Sequence, residues 1–159
     1  MTEPSLVHDL LDDAAARSPE ATAFTYAGQS MTYEQLAAAS RTLATWLREH
    51  GLGRGDRLLI AVANHLYVPA LLYAASRTGV VFSVVHEQVR GAVQRHILND
   101  FAPSIVVSDE PHWREAATAQ GAAAVAPSEL EAAMRLRPAD GDAPGPITVD
   151  PVCLIYTSG

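Results

Sequence analysis

The 159-residue chain carries 11 basic and 18 acidic side chains, for a formal net charge of -7, and 48% of its residues are hydrophobic. Such a length and apolar content suit one domain that buries a real core, whereas the acidic balance excludes a general nucleic-acid surface, which needs clustered cations. Every basic side chain is arginine, and the lone cysteine, Cys153, excludes an internal disulfide and fits a reducing compartment.

The opening MTEPSLVHDLLDD is acidic and lacks the basic start and apolar run of a secretory signal. Ser5 to Arg17 is predicted as a helix, with Ser5 as N-cap and Leu6, Leu10 and Ala14 at fourfold spacing on one side. Pro19 closes it. Ala21 to Tyr26 and Gln29 to Thr32 flank the turn pair Ala27-Gly28 and read as a hairpin. A second helix runs from Tyr33 to His50, with Thr32 as N-cap, Leu36, Leu43 and Leu47 at helical intervals, and Gly51 as the stop.

From there the pattern alternates. Apolar strands are predicted at Arg57 to Val62, Val80 to Val85, Ser104 to Val107 and Ala122 to Val125. Helices follow them at Leu66 to Arg77, Ala92 to Asp100, Pro111 to Gln120 and Ser128 to Leu136. Short apolar strands separated by amphipathic helices imply an α/β layered domain, a sheet of mostly parallel strands with helices on both faces. None of the apolar runs approaches the roughly 20 residues that span a bilayer. The expected location is the cytoplasm.

Residues 1–136 therefore read as an α/β subdomain, and the Pro-, Gly- and Asp-rich stretch 137–150 as an exposed connector. Residues 151–159 read as a strand, Pro151 to Tyr156, that enters a phosphate-binding loop of a further subdomain. Cys153 falls in that run, in the apolar context CLIY, and is expected to be a buried structural thiol.

Thr157, Ser158 and Gly159 follow the last strand directly. Small hydroxyl residues and glycine there permit close backbone approach to an anion, and successive N–H groups can form a nest for phosphate oxygens. Taken alone the signal is weak, since Thr-Ser-Gly after a strand is an ordinary turn in most proteins. Other polar residues have plainer readings. His86 and Glu87 stand where α/β sheets place ligands, with a solvated loop as the ordinary alternative. His96 and Asp100 suit a surface hydrogen bond on a helix more than a metal site, since no third ligand is apparent. Trp46 and Trp113 read as packing residues. Asn64 either faces a cleft at a strand end or caps the next helix.

Four segments together resemble the adenylate-forming superfamily, which includes acyl-CoA synthetases, nonribosomal peptide synthetase adenylation domains and firefly luciferase. They are Met31 to Asn64 (MTYEQLAAASRTLATWLREHGLGRGDRLLIAVAN), His65 to Val85, Phe101 to Asp109 (FAPSIVVSD) and Asp150 to Gly159 (DPVCLIYTSG). The last resembles the start of the superfamily's phosphate loop, which continues Ser/Thr-Thr-Gly-x-Pro-Lys. Where many relatives carry Pro-Leu or Pro-Ile, this chain has Ser83-Val84-Val85-His86-Glu87.

The resemblance implies an AMP-forming acid-thiol ligase. The carboxylate of a small carboxylic or amino acid attacks the α-phosphate of Mg-ATP, and the acyl group then passes to coenzyme A or a carrier-protein phosphopantetheine. Thr157, Ser158 and Gly159 would contact the β- and γ-phosphates, the Mg2+ ligands and catalytic lysine would lie outside this chain, and the chain itself would hold no metal site. It would also be inactive alone, as the N-terminal piece of a nicked or split enzyme needing the remaining C-terminal portion as partner. A non-catalytic α/β binding or interaction module is the alternative.

Overall fold

The computed structural model describes residues 6–135, 146 and 150–157. Helix α1 (Val7–Arg17) opens the chain, and the hairpin β1 (Thr22–Tyr26) and β2 (Gln29–Thr32) follows. Its two-residue turn has Ala27 at φ 49 and Gly28 at φ 77, the left-handed pair of the tight turn that matches strand twist. Helix α2 (Tyr33–Glu49) begins in a reciprocal cap. The Thr32 hydroxyl accepts the Gln35 N–H at 3.2 Å, and Gln35 Oε1 accepts the Thr32 N–H at 2.9 Å.

The remaining elements alternate as β3 (Arg57–Ile60), α3 (Tyr67–Thr78), β4 (Val81–Val84), α4 (Gly91–Phe101), β5 (Ile105–Val107), α5 (Pro111–Ala119), β6 (Ala123–Val125) and α6 (Pro127–Met134). The four strands form one parallel sheet in the order β4-β3-β5-β6. Side-chain alternation along each strand divides the core between two faces. Leu58, Ile60, Ile105 and Val107 pack with α2, α3 and α6, whereas Leu59 and Val106 pack with α4 and α5. Helices on both faces are what the unbroken apolar strands require.

One glycine fixes how α3 passes into β4. Gly79 ends α3 at φ 72, and a Cβ there would lie 3.2 Å from the Cα of Arg54 in the preceding turn. Among the described residues no helix is long and apolar enough to cross a membrane.

Two expectations need correction. On α1 the inward residue is Leu11, 2% exposed, whereas Leu10 is 55% exposed. The inward stripe is His8, Leu11, Asp12 and Ala15, with Leu11 buried and the other three half-buried, and its polar members hide it from a hydrophobic count: His8 Nδ1 lies 3.0 Å from the Ser76 hydroxyl, and Asp12 binds Arg77. Ser5, the predicted cap, lies outside the described residues, and Leu6 occupies the N-cap.

The predicted final strand, Pro151 to Tyr156, is reduced to a single parallel bridge between Cys153 and Phe82. Among the described residues of this segment only Val152 and Leu154 bond to β4, through Phe82 N–H to Val152 O at 3.1 Å and Leu154 N–H to Phe82 O at 2.9 Å. With no further strand beside it among the described residues, the apolar run lacks cover: Ile155 is 77% exposed and Cys153 is an exposed thiol rather than a buried one.

Candidate functional site

The strand order reverses direction at β3. Helix α3 carries the chain out to β4 on one side, and α4 returns it across β3 to β5 on the other. Loops at the carboxyl ends of such a sheet diverge and leave a crevice there. A cleft of about 480 Å³ lies at the ends of β3 and β4, lined by Val62, Ala63 and Asn64 from one and Val84, Val85, His86 and Glu87 from the other. Tyr26 of the hairpin supplies another wall.

Asn64 thus faces this cleft and does not cap α3, whose N-cap is Leu66 with no side-chain bond. His86 is exposed, and its Nδ1 accepts the Gln88 N–H at 3.1 Å. The loop that presents His86 and Glu87 is more than a solvated connection. Trp113 Nε1 donates to the Glu87 carbonyl at 3.0 Å, and a ring nitrogen of His112 meets the Val89 carbonyl at 3.2 Å. Arg90 pairs with Glu110 at 3.5 Å. Trp113, fully buried, is therefore both a packing residue, as expected, and the clamp on one cleft wall. Trp46 is buried in the other face, stacked on His50 with ring centroids 3.8 Å apart.

Beside the cleft stands a polar aromatic group. His65 stacks on Tyr67 at 4.4 Å, tilts against Tyr26 at 6.0 Å, and sets Nε2 3.5 Å from Glu131. Its Nδ1 is buried without a partner among the described residues. Burial first, then the carboxylates of Asp109 and Glu131, pushes the Tyr67 hydroxyl well above the ordinary phenol range, so it stays a neutral donor. Neither Tyr26 nor Tyr67 had a sequence signal marking it for a site, since their proximity arises only when the hairpin folds over the end of the sheet.

Of the three phosphate-contact candidates, Thr157 is exposed, while Ser158 and Gly159 lie outside the described residues. Thr157 does not line the cleft with Asn64, His86 and Glu87. The residue before it, Tyr156, donates its hydroxyl to Asp100 Oδ2 at 2.8 Å and sets its ring edge-on to Phe101 at 6.5 Å. Asp100 and Phe101 end α4, where Arg57 at the start of β3 donates to the Phe101 carbonyl at 2.7 Å. The hydroxyl of Tyr156 is thus held at the amino end of the sheet, opposite the cleft. Asp100 takes its hydrogen bond from Tyr156 rather than from His96. Among the described residues no group of three His, Cys, Asp or Glu could hold a metal ion.

Residues 11–159 match the family described as AMP-binding enzyme. A feruloyl-CoA synthase of an Amycolatopsis species is 34% identical over 91% of this chain and 29% of its own length. Syringomycin synthase SyrB1 of Pseudomonas syringae pv. syringae is 28% identical over 98% of the chain and 25% of its own length. The crystal structure of VinN superposes with a TM-score of 0.85 at 28% identity, covering 97% of this chain and 42% of VinN. The chain spans less than a third of the length of these two curated relatives. Its strand order, its two-faced core and a family match that begins within α1 and runs to Gly159 agree, and the chain belongs to the AMP-binding enzyme family.

Proposed function

We propose that this chain is the N-terminal part of an ATP-dependent ligase that adenylates a carboxylic acid and hands the acyl group to a thiol. The family match over residues 11–159 carries the reading. In the first step a carboxylate oxygen of the acid attacks the α-phosphorus of ATP and pyrophosphate leaves. In the second a thiol attacks the acyl carbon and AMP leaves with the electron pair of the broken bond. Both reactants of the first step are anions, so the site must supply donors and cations that stabilise charge spread over the phosphates.

Thr157, Ser158 and Gly159 are assigned to the β- and γ-phosphate oxygens. They act as donors rather than as acids or bases, because a hydroxyl without a neighbouring base transfers protons poorly. Supporting this is the exposure of Thr157 next to the edge of the sheet. Residues 1–136 form the N-terminal subdomain in this reading, 137–150 the connector, and 151–159 the entry to the next subdomain. Mg2+, the acid pocket and the catalytic lysine belong to the remainder of the enzyme, so the chain by itself is inactive. The acceptor in this reading is coenzyme A or a carrier-protein phosphopantetheine, and a relative named as a feruloyl-CoA synthase supports the first of these. The setting is the cytoplasm.

Acid-dependent exchange of labelled pyrophosphate into ATP by the complete protein tests this. Exchange with at least one member of a panel of cinnamic, fatty and amino acids is expected. Changing Thr157 to alanine should raise the KM for ATP about tenfold, the value of one lost charge-assisted hydrogen bond. Absence of exchange with every acid would overturn the proposal.

A further inference from the structure

Segment 150–157 meets the rest of the fold through very little backbone. Two hydrogen bonds around Phe82 hold it to β4, and a single bridge of this kind does not by itself choose a register. Slipping the segment by two residues would put Pro151 or Ile155 opposite Phe82 and leave every side chain on its present face. Two side-chain contacts oppose such a slip, and they flank the bridge symmetrically. Three residues before Cys153, Asp150 binds Arg54 Nη2 at 2.7 Å; three residues after it, Tyr156 binds Asp100 at 2.8 Å.

We propose that these contacts form a two-point clasp that sets the register of the segment on β4, making Arg54, Asp150, Tyr156 and Asp100 positioning residues for the phosphate contacts of Thr157. This rests on the adenylation reading of that residue. A two-residue slip displaces the segment by about 6.6 Å along the strand, which would break both contacts at once. Each anchor sits on firm structure. Arg54 lies in a turn closed by Gly53 N–H to Asp56 Oδ2 at 2.8 Å and by Gly55 N–H to Gly79 O at 2.9 Å. Asp100 is on the last turn of α4, whose Phe101 is buried. Burial, and then the bond to Asp100, raises the Tyr156 hydroxyl to about 12, so it remains a donor throughout the physiological range.

An exposed ion pair contributes little to overall stability, so the clasp should show in local order and in nucleotide binding rather than in melting. The test uses the complete protein with Tyr156→Phe, Arg54→Asp, Asp150→Arg and the swapped pair Arg54→Asp/Asp150→Arg. Exchange of the Leu154 amide with deuterium should speed about tenfold in each single variant and return toward the parent rate in the swap. In pyrophosphate exchange the KM for ATP should rise about five- to tenfold with the KM for the acid unchanged, again restored by the swap. Unchanged Leu154 exchange in all the variants would overturn the clasp. Faster amide exchange with an unchanged KM for ATP would overturn the positioning role. A parent protein without pyrophosphate exchange would overturn the adenylation reading and the positioning role with it, while the amide measurement would still decide the clasp.

Discussion

Removing the carboxylate of Asp12 should loosen the docking of α1 on α2 and α3. Arg77 of α3 is only 12% exposed, and Asp12 meets it bidentately, at 2.6 and 2.8 Å. The arginine Nε also donates to the buried Ser40 of α2 at 2.9 Å, so one guanidinium joins three helices. Burial opposes the charge on Asp12, but the hydrogen bond and charge of Arg77, aided by Arg41, outweigh it and hold the carboxyl below its usual range. Breaking a fully buried pair from one side costs about 3–5 kcal/mol because the other charge is stranded. Here Asp12 is 35% exposed and Arg77 keeps Ser40, so Asp12→Ala should cost about 2–3 kcal/mol. Local opening of α1 reads that loss directly. Hydrogen exchange of the α1 amides in the complete protein should accelerate about 30- to 150-fold, with the amides of β3 and β5 unchanged. Arg77→Met should cost less, since Asp12 retains Arg41 at 3.1 Å and solvent. An acceleration under about threefold in Asp12→Ala, or an equal acceleration across the sheet, would refute the reasoning.

Trp113→Phe keeps the buried ring but loses the bond to the Glu87 carbonyl, at a cost of about 1 kcal/mol. The amides of Gln88 and Val89 should then exchange about fivefold faster while the strands stay protected. Burial, and then Arg77, lowers the imidazole of His8 below its ordinary 6.5, against the opposing pull of Asp9 and Asp12. A depressed value means that the folded protein prefers neutral His8. The stability this contributes is full above pH 6.5 and is lost as pH falls through the lower folded value. Exchange of α1 amides, corrected for intrinsic rates, should therefore rise below pH 6.5 and flatten in His8→Gln.

Much of the layered fold is legible from local pattern. The Thr32 cap and the Leu36, Leu43 and Leu47 stripe mark α2 because they are set by residues three and four apart. The strand runs at 58–60 and 105–107 are apolar on both sides because both sides are covered. The same composition misleads at 153–155. An apolar run records a need for cover, and whether cover is present depends on a neighbouring strand, which is absent among the described residues. On α1 the reverse happens: His8 and Asp12 point inward because partners on α3 satisfy them, so polarity conceals the packed face.

Asn64, His86 and Glu87 were recognisable one by one as strand-end residues. Their assembly with Tyr26 was not, since it depends on where the hairpin docks. The pairs Arg77 with Asp12, Tyr156 with Asp100 and Arg54 with Asp150 are separated by 65, 56 and 96 residues. No spacing rule reaches that far.

The central position of β3 bears on how the sheet is assembled during synthesis. The first of the four strands to leave the ribosome is an interior one, and β4 and then β5 can each dock against a template already in place. Only β6 must wait for its neighbour β5. Growth outward from a strand made early shortens the time any long-range parallel pairing stays open to misassembly, the chief kinetic hazard of sheets of this type.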